Sequence, residues 1–255
     1  MISKNKLKEY SQYKVAKFCD ENGVFVVEGD KLAKEALASD YEIEAVCAIE
    51  AWFVENRTLI RKKVNPENIY EVAQADLERI SGMKSPNRVW MLVKRKEFQT
   101  VNVLGNNLTV VLDKIQDPGN MGTIVRICDW FGIRNIVCSP DTASIYNSKV
   151  VQATMGGVFR INMEYTNLDT FIEGCLEEKI PVFGAVLGGE NVYTATLPNK
   201  AVLIIGNESK GISQNLIDKI TNKIQIPNIG GTCESLNASV ATGILCSEFA
   251  RRVAL

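Results

Sequence analysis

The sequence predicts an α/β protein whose second half contains a parallel sheet. Segments with strand and helix character alternate along residues 108–255, and this alternation is typical of parallel sheets covered by helices. The clearest strand, 201–206 (AVLIIG), is apolar throughout, as expected for a strand buried on both faces. A polar turn, 207–211 (NESKG), follows it, and open α/β sheets bind their ligands at the carboxyl ends of their strands.

The first part of the chain is expected to form a small α/β domain over residues 1–95, followed by a linker over 96–107. The linker is polar, contains a glycine and lacks periodicity. Asp30 is a plausible cap for the second of the domain's helices. The predicted helices are 4–19, 31–38, 51–60 and 75–80, and the predicted strands are 23–28, 43–49, 68–72 and 88–93.

A second series of elements runs through residues 108–255 and forms the second predicted domain. Its last two strands each lead into a polar loop, 207–211 and 228–235, so that two ligand-facing loops are expected there. The predicted strands are 108–113, 135–138, 159–163, 181–186, 201–206 and 223–226, and the predicted helices are 120–131, 148–155, 168–178 and 236–251.

The amino-acid composition says little about which partners the protein binds. The 255 residues, 46% of them hydrophobic, suffice to bury a core, and the net charge of −1 is too small to imply a nucleic-acid partner. Local clusters of cations fit either a solvated surface or a surface that faces RNA. The three clusters are Lys4, Lys6, Lys8, Lys14 and Lys17; Arg57, Arg61, Lys62 and Lys63; and Lys84, Arg88, Lys94, Arg95 and Lys96.

The seven cysteines form no C-x-x-C pair, and their odd number suits a reducing cytosol better than a disulfide framework. They imply no zinc site. No apolar stretch approaches the roughly 18 residues that span a membrane, and the start of the chain lacks the apolar core of a signal peptide. We therefore expect a soluble, cytoplasmic protein. The chain has no histidine, so any proton removal must use another group.

The stretch 117–126 (DPGNMGTIVR) has glycines that permit a tight turn from strand to helix, with Asn120 as a plausible cap. Arg126 would lie about a turn and a half into this helix and could reach back to the loop, where a guanidinium suits a phosphate or an anionic transition state. The alternative is an ordinary helix cap and a surface arginine. The phosphate-loop patterns G-x-x-x-x-G-K-[ST] and G-x-G-x-x-G are both missing, which argues against the corresponding nucleotide-binding folds.

Three segments in a fixed order resemble the motifs of the SpoU (TrmH-like) RNA 2′-O-ribose methyltransferases. They are 120–126 (NMGTIVR), 206–211 (GNESKG), and Ile226 and Pro227 followed by 235–241 (SLNASVA). The resemblance covers about residues 106–252. A weaker resemblance, at 25–37 (FVVEGDKLAKEAL), is to the ribosomal-protein-like RNA-binding domain that many members of the family carry in front.

The resemblance implies a SPOUT-class domain whose C-terminal segment threads a trefoil knot, with S-adenosylmethionine bound in the knot and a homodimer formed around it. Gly206, Ile226 and Leu236 would then line the pocket for the methyl donor, largely through backbone groups. Metal ions are not required for this reaction, and none is expected. The polar site near the ribose hydroxyl would consist of Asn120, Arg126, Glu208 and Asn237.

Two features of the chain depart from common family usage. Cys128 and Thr154 stand where small residues such as alanine and serine are frequent, and the loop before Ser235 is slightly long. The role of Arg126 stays open between two possibilities, because a guanidinium is normally permanently protonated. It is either an unusual base or a cation that lowers the pKa of the hydroxyl and holds the adjoining phosphate.

The expected function is S-adenosylmethionine-dependent 2′-O-ribose methylation of structured RNA. The extra front domain favours 23S ribosomal RNA over tRNA, and a noncatalytic RNA-binding protein that retains the fold is the alternative from another class. The apolar positions Val240, Ile244 and Leu245 of the last helix favour a homodimer through the C-terminal domain. The sequence does not identify the methylated nucleotide.

Overall fold

The structure is a computed structural model that describes residues 2–103, 105 and 107–254, with side chains described as far as residue 251. The helices are α1 Lys4–Ser11, α2 Ala16–Glu21, α3 Asp30–Ala38, α4 Glu50–Lys63, α5 Gln74–Ile80, α6 Pro118–Trp130, α7 Ser148–Thr154, α8 Leu168–Glu177, α9 Gln214–Ile217 and α10 Ala238–Ala254. The strands are β1 Val24–Glu28, β2 Ile43–Ala48, β3 Ile69–Glu71, β4 Val89–Lys94, β5 Leu108–Leu112, β6 Asn135–Cys138, β7 Asn162–Tyr165, β8 Val182–Asn191, β9 Ala201–Ile205 and β10 Asn222–Gln225. Within this part of the chain, no helix combines the length and the apolar character needed to cross a membrane.

Contacts divide the chain into two units. The first comprises residues 1–97 and 145–159, and the second comprises 98–144 and 160–255. The sequence assigned 145–159 to the second domain, but this segment packs on β1, where the rings of Tyr146 and Phe25 lie 4.8 Å apart between centroids. The domain boundaries expected from the sequence stay a prediction.

The first unit is built on a mixed four-stranded sheet in the order β1-β4-β2-β3. Only β2 and β3 run parallel; the other pairs are antiparallel. On one face, Trp90 and Leu92 of β4 pack with Leu7 and Tyr10 of α1 and with Leu77 of α5. The alternation of side chains along β4 directs its other residues to the opposite face. Helix α3 contacts β1 and β4, and α4 contacts β2.

The first predicted helix is interrupted. Instead of one helix over 4–19, the chain leaves α1 after Ser11, makes a short 3-10 turn at Gln12–Lys14, and becomes extended at Val15 before α2 begins. The break lets Tyr13 turn inward, where its ring packs against Phe18 at 4.8 Å between centroids. Burial of an aromatic ring thus overrides the local preference for a continuous helix.

Asp30 does not cap α3, which corrects the expectation from the sequence. The N-cap is Gly29, whose φ of 93° favours glycine, and Asp30 is the first helical residue. Its carboxylate instead accepts from Arg88, which also pairs with Glu55. The neighbouring Glu28 is buried and accepts from Ser81 Oγ and from the backbone N–H of Gly82. Burial raises the pKa of Glu28 in spite of these two hydrogen bonds.

The second unit contains the parallel sheet that the sequence predicts. Its six strands have the order β10-β8-β9-β5-β6-β7, and neighbouring strands pair in parallel. The central strands β5 and β9 are buried along their whole length. Two local predictions are wrong: Gly157–Phe159 is a 3-10 turn, so that β7 starts only at Asn162, and the short helix α9 was not foreseen.

Asp117, rather than Asn120, caps α6. Its side chain accepts from the backbone N–H of Asn120 at 2.7 Å, and Pro118 occupies the first helical position, where its missing N–H costs nothing. Asn120 is therefore the third residue of the helix. Because Asp117 satisfies the helix end, the amide side chain of Asn120 is free for other contacts.

The chain folds back on itself immediately after β9. A Cβ atom at Gly206 would lie 2.3 Å from both the carbonyl carbon of Gly211 and the nitrogen of Ile212, a distance that real Cβ atoms do not show. Asn207 and Gly211 exchange both backbone hydrogen bonds, with N–O distances of 3.0 and 2.9 Å. The chain's own backbone thus requires glycine at 206, independently of any ligand.

Replacing Gly206 by alanine should lower the free energy of unfolding by about 2 kcal/mol or more, because the loop backbone must move to admit one methyl group. Gly174→Ala is the control, since a Cβ there meets nothing within 4 Å and α8 gains helix propensity. Urea unfolding monitored by circular dichroism measures both. A Gly206→Ala variant as stable as the wild type would show that the loop is not closely packed.

Replacing Asp117 by alanine should cost about 1 kcal/mol of unfolding free energy, since the helix loses its N-cap acceptor. Asp141→Ala provides a matched control, because Asp141 is exposed and forms no hydrogen bond or ion pair with any residue that the structure describes. Urea titration of both variants is the measurement. Equal stabilities of the two would contradict the assignment of the cap.

Candidate active site

The loops after β5 and β9 are fastened to each other at the carboxyl end of the sheet. Asp113 donates its backbone N–H to Ile205 O at 2.9 Å, and its Oδ2 accepts from the backbone N–H of Ser213 at 2.6 Å. Asn207 Nδ2 donates to Lys114 O at 2.8 Å. Asp113 is only 2% exposed, so its carboxylate forms a short, charge-assisted hydrogen bond in a setting shielded from water.

Asn207 also shapes the turn that carries Glu208. Its Oδ1 accepts from the backbone N–H groups of Ser209 and Lys210, at 3.0 and 3.1 Å. Asparagine side chains stabilise turns in this way because they imitate a backbone carbonyl. The turn leaves the side chain of Glu208 exposed.

Three of the four polar residues expected at the site meet in a chain of hydrogen bonds. Asn120 Nδ2 donates to Glu208 Oε1 at 2.7 Å, and Asn237 Nδ2 donates to Asn120 Oδ1 at 2.9 Å. Asn237 Oδ1 meanwhile accepts from the backbone N–H of Ser239 at 3.0 Å and from that of Val240 at 3.3 Å, at the start of α10. The structure thus joins a side chain from the first turn of α6, which follows β5, with side chains from the loops after β9 and β10.

This arrangement fixes which way each amide group points. An ionised carboxylate only accepts hydrogen bonds, so Asn120 must present its NH₂ to Glu208 and its oxygen to Asn237. Asn237 must likewise present its oxygen to the helix end. Glu208 has no further hydrogen bond to the residues that the structure describes. Its other carboxylate oxygen is therefore available to accept from a hydroxyl group.

Arg126 does not join this network. It is exposed on α6 and forms no hydrogen bond or ion pair within the described part of the chain. At about 100° per residue, it lies roughly 120° around the helix from Asn120. Trp130 follows Arg126 by one turn and is 84% exposed. The expected participation of Arg126 in the site stays a prediction.

The three positions expected to contact the methyl donor border the two loops named from the sequence, 207–211 and 228–235. Gly206 and Ile226 are half-buried, and Leu236 is 50% exposed. The second loop is braced by Asn228, whose Oδ1 accepts from the backbone N–H of Gly231 at 2.7 Å. Ile229 in the same loop is 92% exposed. Apolar side chains thus remain uncovered within a braced loop.

Sequence reasoning missed Asp113 and the strained backbone that follows it. Lys114 has a φ of 58°, in the left-handed region that lysine rarely adopts. Its backbone N–H donates to Ser139 Oγ at 2.9 Å while its carbonyl accepts from Asn207, so hydrogen bonds on both sides hold it there. An acidic residue directly after an apolar strand was the available signal for Asp113.

The two residues that depart from family usage, Cys128 and Thr154, are accommodated by packing. Cys128 is buried next to Cys246, and this neighbouring thiol together with burial raises the pKa of Cys128. Thr154 is buried too, and its Oγ1 donates to Val151 O at 2.8 Å, so the hydroxyl is satisfied within its own helix. Neither side chain belongs to the hydrogen-bonded network of Asn120.

Two models of known protein families together match most of the chain. Residues 107–247 match the model of the SpoU rRNA Methylase family, and residues 4–90 match that of the MRM3-like substrate binding domain. Among curated proteins, the chain is 25% identical over 242 residues to the 23S rRNA (guanosine(2553)-2′-O)-methyltransferase RlmP of Bacillus subtilis. The match covers 94% of each chain.

Solved structures agree in fold over nearly the whole chain. An RNA methyltransferase of the TrmH family from Porphyromonas gingivalis is 35% identical, with a TM-score of 0.86 and coverage of 99% of both chains. An AdoMet-bound rRNA methyltransferase from Sinorhizobium meliloti is 28% identical, with a TM-score of 0.85 and coverage of 100% of this chain and 97% of that one. These matches confirm the expected α/β fold, and the chain belongs to the SpoU rRNA methylase family of RNA 2′-O-methyltransferases.

Proposed function

We propose that this protein transfers a methyl group from S-adenosylmethionine to a ribose 2′-hydroxyl of 23S ribosomal RNA. The observation that carries the proposal is the network of Asn120, Glu208 and Asn237, which joins the start of α6 to the loops after β9 and β10 at the carboxyl end of the parallel sheet. Support for this RNA comes from RlmP, which matches both parts of the chain and is named for 23S rRNA. A tRNA substrate is the second candidate within the same chemistry.

The loops after β9 and β10 suit a methyl donor with a flat aromatic base, whose faces can pack on apolar side chains. Leu236 and Ile229 present uncovered apolar surface, and the Asn207 and Asn228 turns fix the backbone on either side. Gly206, Ile226 and Leu236 would hold the donor largely through backbone groups, in the trefoil knot that the family resemblance implies. S-adenosylmethionine supplies an electrophilic methyl on a sulfonium, whose displacement requires in-line positioning.

The polar residues would hold the ribose and assist loss of its proton. The free carboxylate oxygen of Glu208 can accept a hydrogen bond from a hydroxyl, while Asn120 and Asn237 keep that carboxylate in place. Arg126, which has no ion-pair partner among the described residues, can hold the adjoining phosphate and favour the deprotonated hydroxyl. A role as base and a role as electrostatic activator both remain compatible with its exposed position.

Loss of Arg126 should reduce turnover far more than binding of the donor. Removing one group that stabilises the transition state commonly costs on the order of 10² in rate, and lysine should not restore it, because a point charge lacks the planar fork. The measurement is single-turnover transfer of labelled methyl to 23S rRNA by Arg126→Ala and Arg126→Lys, beside calorimetry of donor binding. Arg79→Ala, on the exposed surface of α5, is the control.

The same assay tests the proposed substrate. The wild-type protein should label 23S rRNA and leave tRNA unlabelled. Labelling of tRNA alone would favour the second candidate, and labelling of neither RNA would favour a noncatalytic RNA-binding protein. Rates near the wild-type value in both Arg126 variants would show that the nucleophile is activated elsewhere.

We further propose that the protein forms a homodimer through α6 and α10. These helices pack together, with Ile127 beside Gly243, and they leave Trp130 84% and Val240 50% exposed. Leu245, which the sequence suggested for this interface, is only 1% exposed and packs inside its own unit. Tryptophan is enriched in the buried cores of protein–protein interfaces, so an uncovered tryptophan suits a surface that binds a partner.

Replacing Trp130 by glutamate should give a monomer at micromolar concentration, since a charge would have to be buried in an apolar interface. Leu187→Glu is the matched control, because Leu187 is 75% exposed on β8. Light scattering reports the mass of both variants. A monomeric wild type, or a dimeric Trp130→Glu protein, would contradict this interface.

We place the reaction in the cytoplasm. All seven cysteines are free thiols, and all but Cys233 are buried. Unpaired thiols suit a reducing compartment, where ribosomal RNA is also found.

A further inference from the structure

The basic clusters of the first unit differ in how far their charges are neutralised. In the first cluster, Lys6 and Lys17 are paired with acids of their own helices and Lys14 donates to Glu78 O, whereas Lys4 and Lys8 lack a partner among the residues that the structure describes. In the third cluster, only Lys84 lacks a described partner. The ion-paired cations already have a carboxylate beside them. The pairs of the third cluster are Arg88 with Asp30 and Glu55, Lys94 with Glu42, Arg95 with Asp20, and Lys96 with Asp40.

The cluster on α4 is different. Arg57, Arg61 and Lys62 are all exposed, and none forms a hydrogen bond or ion pair within the described chain. At about 100° per residue, the middle of the buried side of the helix falls at Asn56. Arg57 lies roughly 100° around the helix from it, and Arg61 and Lys62 lie roughly 120–140° from it. We call this surface, with its three cations, the α4 basic face.

Acidic side chains do not offset these charges. Helix α4 contains two acids, Glu50 in its first turn and Glu55, whose carboxylate is bound by Arg88. The neighbouring helix α3, which contacts α4, adds the exposed Lys34, whose charge interacts with Glu55. With three cations against Glu50, the α4 basic face therefore carries an excess of positive charge in a protein whose net charge is −1.

Stabilisation of the helix end explains only part of this pattern. Cations in a last turn interact favourably with the helix dipole, and Arg61, Lys62 and Lys63 occupy that turn. Lys63 also donates to Ser39 O. Arg57 lies before the last turn, so the dipole gives no reason for it. Val54 lies one turn before Arg57 on the same side of the helix and is 69% exposed. A face that only contacts water gives no reason for an apolar side chain there.

We propose that the α4 basic face contacts the phosphate backbone of the RNA substrate. The inference rests on the proposed function, since it assumes that RNA is the substrate, and it locates where the first unit meets that RNA. Two arginines one turn apart offer planar forks that match phosphate oxygens, and phosphate binding releases condensed counterions. Cations that are already paired with carboxylates would have to break those pairs first.

The test compares two triple variants with the same change in net charge. Arg57→Gln, Arg61→Gln and Lys62→Gln remove the α4 basic face, whereas Lys17→Gln, Arg79→Gln and Lys94→Gln remove ion-paired cations elsewhere in the unit. Filter binding of a 23S rRNA transcript is measured from 50 to 200 mM salt. A plot of log K against log salt has a negative slope, and its magnitude should decrease by about 2 to 3 in the first variant, since each phosphate contact contributes about 0.7–0.9. The second variant should keep the wild-type slope.

Donor binding and circular dichroism separate this result from loss of the fold or of the site. Both variants should bind S-adenosylmethionine as the wild type does, and Arg57→Gln alone, outside the last turn of α4, should lower the slope by about 1. An unchanged slope in Arg57→Gln and in the α4 triple variant would overturn the proposal. So would equal losses in both triple variants, which would indicate a diffuse charge effect. A wild-type protein that neither binds nor methylates the transcript would instead overturn the proposed function.

Discussion

The fastening of the loop after β5 to the loop after β9 is the constraint on which the candidate site depends. Asp113 accepts from Ser213 and Asn207 donates to Lys114, so both loops are held by buried or half-buried side chains. A buried carboxylate without its donor would cost far more than the hydrogen bond contributes, which makes this contact hard to give up. Gly206 completes the constraint, because only a residue without Cβ lets the returning backbone approach so closely.

With the loops after β5 and β9 fixed in this way, each polar residue of the site makes a different contact. Asp117 satisfies the end of α6 and so releases the side chain of Asn120, while Asn237 both caps α10 and donates to Asn120. Asn237 thereby fixes the side chain of Asn120, which in turn fixes the carboxylate of Glu208. Hydrogen-bond chains of this kind polarise and orient their members, and losing one member affects the geometry of the rest. The network can therefore keep an exposed carboxylate in one position.

The charges of the first unit illustrate why a count of lysines and arginines says little. Exposed ion pairs such as Lys94 with Glu42 contribute little to stability, because water screens them and ordering the side chains costs entropy. Their effect on binding is larger, since a paired cation must exchange one anion for another. Three clusters with similar composition thus differ in how many of their cations are available to bind an anionic partner. The positions of nearby acidic side chains in the folded protein account for this difference.

Much of the fold and part of the site could be predicted from the sequence. The buried strand Ala201–Ile205, the helix that carries Arg126 and the family itself follow from local patterns, namely apolar runs, glycine positions and the order of three motifs. Local patterns report what a segment prefers by itself. The donor pocket and the role of Arg126 rest on the resemblance and remain predictions.

The tertiary structure decided what depends on residues far apart in the chain. Burial of Tyr13 broke the first helix, packing against Phe25 drew Tyr146 to the first unit, and contact with Glu208 gave Asn120 a partner. None of these contacts leaves a periodic or compositional signal in the sequence, because each joins segments that come together only when the chain folds. The sequence thus determined which elements form and which chemistry is present, while long-range contacts determined which side chains meet.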